Sequence, residues 1–173
     1  MAQAIATESP PESWEMPSLE SSSRVVRYAR IPAPTHPDSQ NLLAVWRKCE
    51  EAGGMAAGRD VPSRAIAAQL HSIMVTEPME DGDFHIRIAG SALRRRYGHE
   101  VTALRLSDLF ERPYHEPHQK HTRAVLETGE PCFLEAKEYE LGQVRAHREI
   151  AVLRILAPDR VAHWVLAGVF YFD

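Results

Sequence analysis

FHIRIAGSALRRRYG, residues 84–98, reads as a strand that runs straight into a short helix. Phe84, Ile86 and Ile88 alternate with His85 and Arg87, so one face is apolar and the other polar. Gly90 breaks the alternation, and Ser91 is placed to cap a helix. Leu93 and Tyr97, four apart, share the buried side of that helix. Arg94, Arg95 and Arg96 fall in its last turn, where positive charge suits the helix dipole, and Gly98 can end it in a left-handed cap. Just upstream, residues 72–79 read as another strand with Ile73 and Val75 inward. Glu80-Asp81-Gly82 joins the two as a hairpin, because Asp-Gly suits positive φ.

The last third of the chain is β. Residues 132–141, 146–156 and 161–172 read as strands joined by short turns at Gly142-Gln143 and Pro158-Asp159. The last strand is apolar on both faces, with Trp164, Leu166 and Phe170 on one and Val165, Ala167 and Val169 on the other. That predicts a central strand covered on both sides. Gly168 marks a close approach to its backbone. Between the hairpin and these strands, residues 99–114 are irregular, with Leu104, Leu106, Leu109 and Phe110 as apolar cover. Residues 117–128 then form a helix, with Pro117 in its first turn and Gly129 past its end.

Upstream, residues 40–52 form a helix whose stripe is Leu42, Val45, Trp46 and Cys49. Asp38 or Ser39 can cap it, and Gly53-Gly54 ends it. The stripe must be buried on the domain or on a second copy, which makes this helix the candidate dimer or output surface. A connector follows, with a turn at Pro62. Residues 1–39 hold six of the twelve prolines and seven serines, and read as a flexible tail. Within it, RVVRYARI (24–31) has strand composition and could dock on a sheet edge or a partner, although a transient extended segment is the simpler reading.

The element order predicts an α+β domain over residues 40–173, with an N-terminal helix at 40–54 and a core at 71–173. Its core is one five-stranded antiparallel sheet with helices across one face. The space under those helices is the natural place for a small ligand. Hydrophobic residues make up 44% and charged residues 25% of the chain, as in an ordinary globular protein. A net charge of −4 argues against nucleic acid or anionic lipid as the main partner. No apolar run is long enough to span a bilayer and no signal-peptide pattern opens the chain, so a cytoplasmic location is expected. Cys49 and Cys132 have no metal-type spacing.

Five short words in order carry a resemblance: Trp46, GRDVPSR (58–64), FHIRIAGSAL (84–93), RYGHEVTALRL (96–106), and a helix ending in TGEP (128–131). Together they resemble the single-domain PAS family of alphaproteobacteria, of the PAS_5 type, over roughly residues 40–173. Two positions depart from that pattern: AIAAQ (65–69) replaces an expected Asp-Pro turn, and Ala103 stands where a glycine is expected. The resemblance implies a non-catalytic sensory or adaptor module acting in signal transduction through a partner protein. It fixes neither ligand nor output.

The residues themselves leave other chemistry open. His118 and His121 lie three apart on one helix, and with His115 or Glu116 could hold zinc or iron; the resemblance adds haem on one such histidine as a further expectation. Solvated or core-bordering histidines are the simpler reading. No flavin-type Asn-Cys-Arg-Phe-Leu word occurs, and Cys132 reads as a small buried hydrophobe. No G-x-S-x-G, P-loop or G-x-G-x-x-G is present. Arg94, Arg95 and Arg96 could grip a phosphate or an acidic partner, but suit a solvated face better. Glu135, Glu138 and Glu140 read as an exposed strand edge.

The expected lining of a ligand site is Phe84, Ile86, Ile88, Leu93, Leu104, Leu109, Val125, Leu126 and Trp164, with His118 or His121 as the polar anchor. The expected ligand is small and largely apolar, with no metal and no identified cofactor. The expected partners are a signalling protein and a second copy of the chain. A pure interaction module without ligand is the principal alternative, and a small metal or haem protein using His118 and His121 the next. A cone-shaped α+β enzyme or carrier ranks below both, since its longer N-terminal helices are not evident.

Overall fold

The computed structural model describes residues 13–17, 24–109 and 115–172. Strands β1 (Ser13–Pro17) and β2 (Arg24–Ile31) precede helix α1 (Pro37–Glu51). A connector with two short 3₁₀ turns leads to β3 (Ile73–Pro78), β4 (Phe84–Ala89) and α2 (Ser91–Tyr97). A 3₁₀ turn, Leu106–Leu109, precedes α3 (His115–Thr128), and β5 (Cys132–Glu140), β6 (Gln143–Leu156) and β7 (His163–Tyr171) complete the chain. The strands make one seven-stranded sheet in the order β1-β2-β5-β6-β7-β3-β4, antiparallel throughout.

The fold class is α+β, as the periodicities imply, and the five strands read from the sequence form its continuous centre, β5-β6-β7-β3-β4. The strand count is corrected from five to seven. RVVRYARI, read within the tail, is β2 and pairs along its whole length with β5, from Arg24 opposite Glu140 to Ile31 opposite Phe133. β1 then pairs outside β2. β5 is therefore not an edge strand, and Glu135, Glu138 and Glu140 are half-buried rather than an exposed edge. Residues 1–12 and 18–23 of the expected tail lie outside the described residues.

Each sheet face has its own cover. On one, α1 and the connector pack Leu42, Trp46, Met55, Val61 and Ile66 against Ile73, Val75, Phe133, Leu153, Leu166 and Phe170. The expected α1 stripe thus turns into its own domain: Leu42 and Trp46 are buried, and Val45 and Cys49 pack beside them. The stripe is thus covered within one chain and needs no second copy to bury it. The indole Nε1 of Trp46 donates to the Arg154 carbonyl at 2.7 Å, fixing the helix to β6. Gly168 meets Leu42 and Phe170 side chains here, so the close approach is made by side chains rather than by another backbone. The N-cap of α1 is His36, whose Nδ1 accepts from the Asp38 amide, and neither Asp38 nor Ser39 serves. The Glu149 carboxylate tethers the same end, accepting from the Thr35 amide and hydroxyl and the His36 amide.

On the other face, α3 and the 3₁₀ turn cover Phe84, Cys132, Leu134, Val152 and Val165. β7 is covered on both sides, as its sequence indicates: even positions meet α1 and odd ones meet α3. β4 does not keep the simple alternation. Its register against β3 shifts between Val75 and Thr76, which face Ile88 and Ile86, so Arg87 is the extra residue of a bulge. Phe84 and Ile86 stay on the α3 side while Ile88 turns to the α1 side. Two smaller readings also change. Gly90, not Ser91, is the N-cap of α2, and the tight turn after β5 centres on Leu141-Gly142, both at positive φ. Ala103, where the resemblance leads one to expect glycine, holds a left-handed φ of 71°. The segment around it hydrogen-bonds to both backbone groups of Ile86.

Candidate functional site

The β3–β4 turn sets the position of α3. Asp83, buried at the end of the turn, accepts from Gln119 Nε2 of α3 at 2.8 Å, from the Ser107 hydroxyl and from the Phe84 amide. Burial works to raise its pKa, but these donors outweigh it and hold the carboxyl below the usual range. Arg123 of α3 donates to the Gly82 carbonyl at 2.8 Å. Beneath this anchored half of the helix, Val125 and Leu126 pack with Phe84, Leu106 and Leu109 as closed apolar core.

The first turns of α3 meet a different surface. Four residues stand in register across β2, β5, β6 and β7: Tyr28, Ala136, Arg148 and Tyr171. By strand parity they share the α3 face with Leu134, Ile150 and Val152. Arg148 is 5% exposed and Tyr28 is 4% exposed, while Tyr171, at 42%, reaches solvent. Arg148 Nη2 donates to the Tyr28 hydroxyl at 3.2 Å, and its Nη1 lies 3.7 Å from Glu138. Its guanidinium carbon is 5.9 Å from the centroids of both flanking tyrosine rings, within cation–π range. Ala136, fully buried, forms a small-residue floor between Tyr28 and Arg148.

Two helices close over this row. From α3, the His118 ring stands edge-on to Tyr28, centroids 5.0 Å apart at 83°. One turn on, His121 is buried with Nδ1 3.8 Å from Cys132 Sγ. From the last turn of α2, Arg96 hydrogen-bonds to the Tyr171 hydroxyl. Thus one of the three consecutive arginines, all of them solvent-exposed, also reaches the edge of this row. Burial pushes the adjacent Tyr97 phenol up against the pull of Arg96, so it stays protonated as a donor.

His118 is pushed down to about 3, by burial first and then by the positive charge of Arg148 and the neighbouring His121. It is therefore neutral near neutral pH. Unfolded, the imidazole binds a proton below about pH 6.5, whereas folded it does not until about 3, so stability is lost as pH falls through that window. Between about pH 7 and about pH 5 the loss from this group is about 2 kcal/mol. His118→Phe keeps a ring against Tyr28 and removes the titration. Urea midpoints at both pH values should show the wild type losing that much more than the variant; equal losses would refute a buried neutral His118.

The residues expected to line a site are divided by the structure. Phe84, Leu109, Val125 and Leu126 gather in one apolar cluster under α3. Ile86 and Leu93 are buried, and Leu104 is half-buried with its carbonyl accepting from the Ile86 amide. His118 and His121 do lie between helix and sheet. Ile88 and Trp164 do not, because both pack on the α1 face. Sequence reading passed over Tyr28, Ala136, Arg148 and Tyr171. The visible signal was parity: in HREIAV (147–152), Arg148 is in phase with Ile150 and Val152. Phe110 and Tyr114, and the side chains of His115 and Glu116, lie outside the described residues.

Among the described residues, no group of three His, Cys, Asp or Glu side chains converges to hold a metal ion. No described helix is long and apolar enough to cross a membrane. A search of curated proteins found no match. A family model, PAS_5, described as a PAS domain, matches residues 34–168, which spans everything from the approach to α1 to the middle of β7. With that match and a five-stranded antiparallel centre crossed by α2 and α3, the chain belongs to the PAS domain family, a family of sensory and signalling modules.

Proposed function

We propose that this PAS domain senses a small molecule held between α3 and the sheet and reports its presence to a partner protein, without catalysing a reaction. The observation that carries this reading is the polar row that runs from buried Tyr28 and Arg148 to exposed Tyr171, lying next to closed apolar core. Polar groups at such depth are costly unless matched, and a core meant only to hold the fold would be cheaper without them. The row lies at the junction of α2, α3 and the sheet. A molecule there would interact differently with two placements of the helices and would so shift the balance between them. His118 then serves as a neutral polar contact, as expected of the anchor.

Native mass spectrometry of the purified protein, with an absorbance spectrum across the near-ultraviolet and visible, tests this reading. A bound mass of small-molecule size that leaves on denaturation is the expected result. A bare polypeptide mass, with no gain in thermal stability across a broad metabolite panel, would instead favour a ligand-free interaction module. The same spectra give the number of copies in solution.

A further inference from the structure

We infer that the molecule held under α3 is a small organic monocarboxylate with an apolar body, its carboxylate gripped by Arg148. This rests on the ligand-sensing reading and adds the chemical class. A guanidinium that is 95% buried must recover a large desolvation cost from close partners. Among the described residues, Arg148 has a neutral hydroxyl at 3.2 Å and a carboxylate oxygen at 3.7 Å. Close charge-assisted pairs run about 2.7–2.9 Å. Its Nη1 is buried and makes no hydrogen bond among the described residues. The planar guanidinium fork matches a carboxylate, which can take two N–H groups at once.

The surroundings narrow the class further. Arg96 of α2, hydrogen-bonded to the Tyr171 hydroxyl at the end of the row, offers an additional donor. Among the described residues, Arg148 and Arg96 both lie within electrostatic reach of Glu138. A phosphate, with its second charge, would be opposed by Glu138. Ala136, Val26 and Ile150 with the Tyr28 ring supply an apolar bed for the rest of the molecule. Benzoate and hexanoate represent the class, one flat and one flexible.

The test is calorimetric titration of the full chain with benzoate, hexanoate, inorganic phosphate and benzyl alcohol, the uncharged counterpart of benzoate. At least one of the two carboxylates should bind with a Kd below about 1 mM, and benzyl alcohol and phosphate at least about tenfold more weakly. Arg148→Lys keeps the charge but not the fork, and should weaken carboxylate binding by about tenfold or more. Arg96→Gln lies on a surface helix away from the core, and should weaken it as well; it stands as the test if Arg148→Lys does not fold. Glu138→Gln should tighten it. Benzyl alcohol binding as well as benzoate, or carboxylate binding unchanged by both arginine variants, would overturn the anionic class while leaving a ligand-sensing domain intact. No binding of any probe to a protein whose native mass is bare would overturn both.

Discussion

Gly90→Ala is expected to destabilise the domain by about 3 kcal/mol or more, a loss of roughly 6–12 °C in melting temperature for a chain of this length. The φ of Gly90 is −67°, which any residue can adopt, so the cost is not conformational. It is steric. A Cβ there would lie 2.3 Å from the His71 carbonyl oxygen, 2.4 Å from its carbon and 2.5 Å from the Leu70 oxygen. These are backbone atoms of the turn entering β3, and the Gly90 amide donates to the Ile73 carbonyl beside them at 2.8 Å. A side chain could rotate away, whereas this backbone can yield only by separating β3 from the β4–α2 junction. That junction also places Arg96, so whatever survives should bind ligand poorly. Gly98→Ala is the natural comparison. Its φ is +73° with no atom near the added methyl, so the cost is left-handed strain alone, about 1 kcal/mol. Denaturant midpoints measure both. Gly98→Ala proving as harmful as Gly90→Ala would refute the close packing of this junction.

Trp46→Ala is expected to cost about 3–5 kcal/mol. The side chain is 9% exposed and packs in the core shared by α1, β6 and β7. Removing it opens a large void and deprives the Arg154 carbonyl of its 2.7 Å donor. Had this stripe been an output surface, the variant would change assembly or signalling and leave the monomer equally stable. Urea unfolding at low protein concentration separates the two cases: a lowered midpoint fits a core helix, and an unchanged midpoint with altered oligomeric state fits an interface.

What the sequence made legible was the part governed by local periodicity. The β3–β4 hairpin, the helix before β5 and the last three strands follow from alternation, Asp-Gly and Pro/Gly punctuation. Errors arise where a single residue resets the phase or a distant element decides the environment. The bulge at Arg87 sends Ile88 to the opposite face from Phe84 and Ile86, and alternation alone gives no warning of it. For a related reason, parity alone does not reveal that Trp164 packs on the α1 face. Its strand is apolar on both sides, so parity fixed its neighbours but not which helix they met. β2 was hidden because its pairing with β5 joins residues over a hundred positions apart, inside a segment whose proline and serine content spoke for disorder.

The polar row is the sharper case. Arg148 occupies an inward position in a strand otherwise alternating correctly. An arginine in a strand reads as solvent-facing unless β2 and α2 are known to cover it. The three arginines of α2 are compatible with an anion, but only the fold shows that it is Arg96 that reaches the Tyr171 hydroxyl. The histidines were legible as a pair on one helix face. Their environment, which keeps His118 neutral rather than charged, comes from burial, Arg148 and the neighbouring His121.

In the proposed complex a small molecule sits over Ala136, between Tyr28, Arg148 and His118. An NMR titration of the labelled protein with the compound released from it, or with benzoate, tests this most directly. Saturable shifts are expected at the Ala136 methyl, the Arg148 side-chain N–H groups, the Tyr28 ring and the His118 ring, with little change around Trp46 on the opposite face. Saturable shifts confined to the α1 face, or none at all, would contradict it.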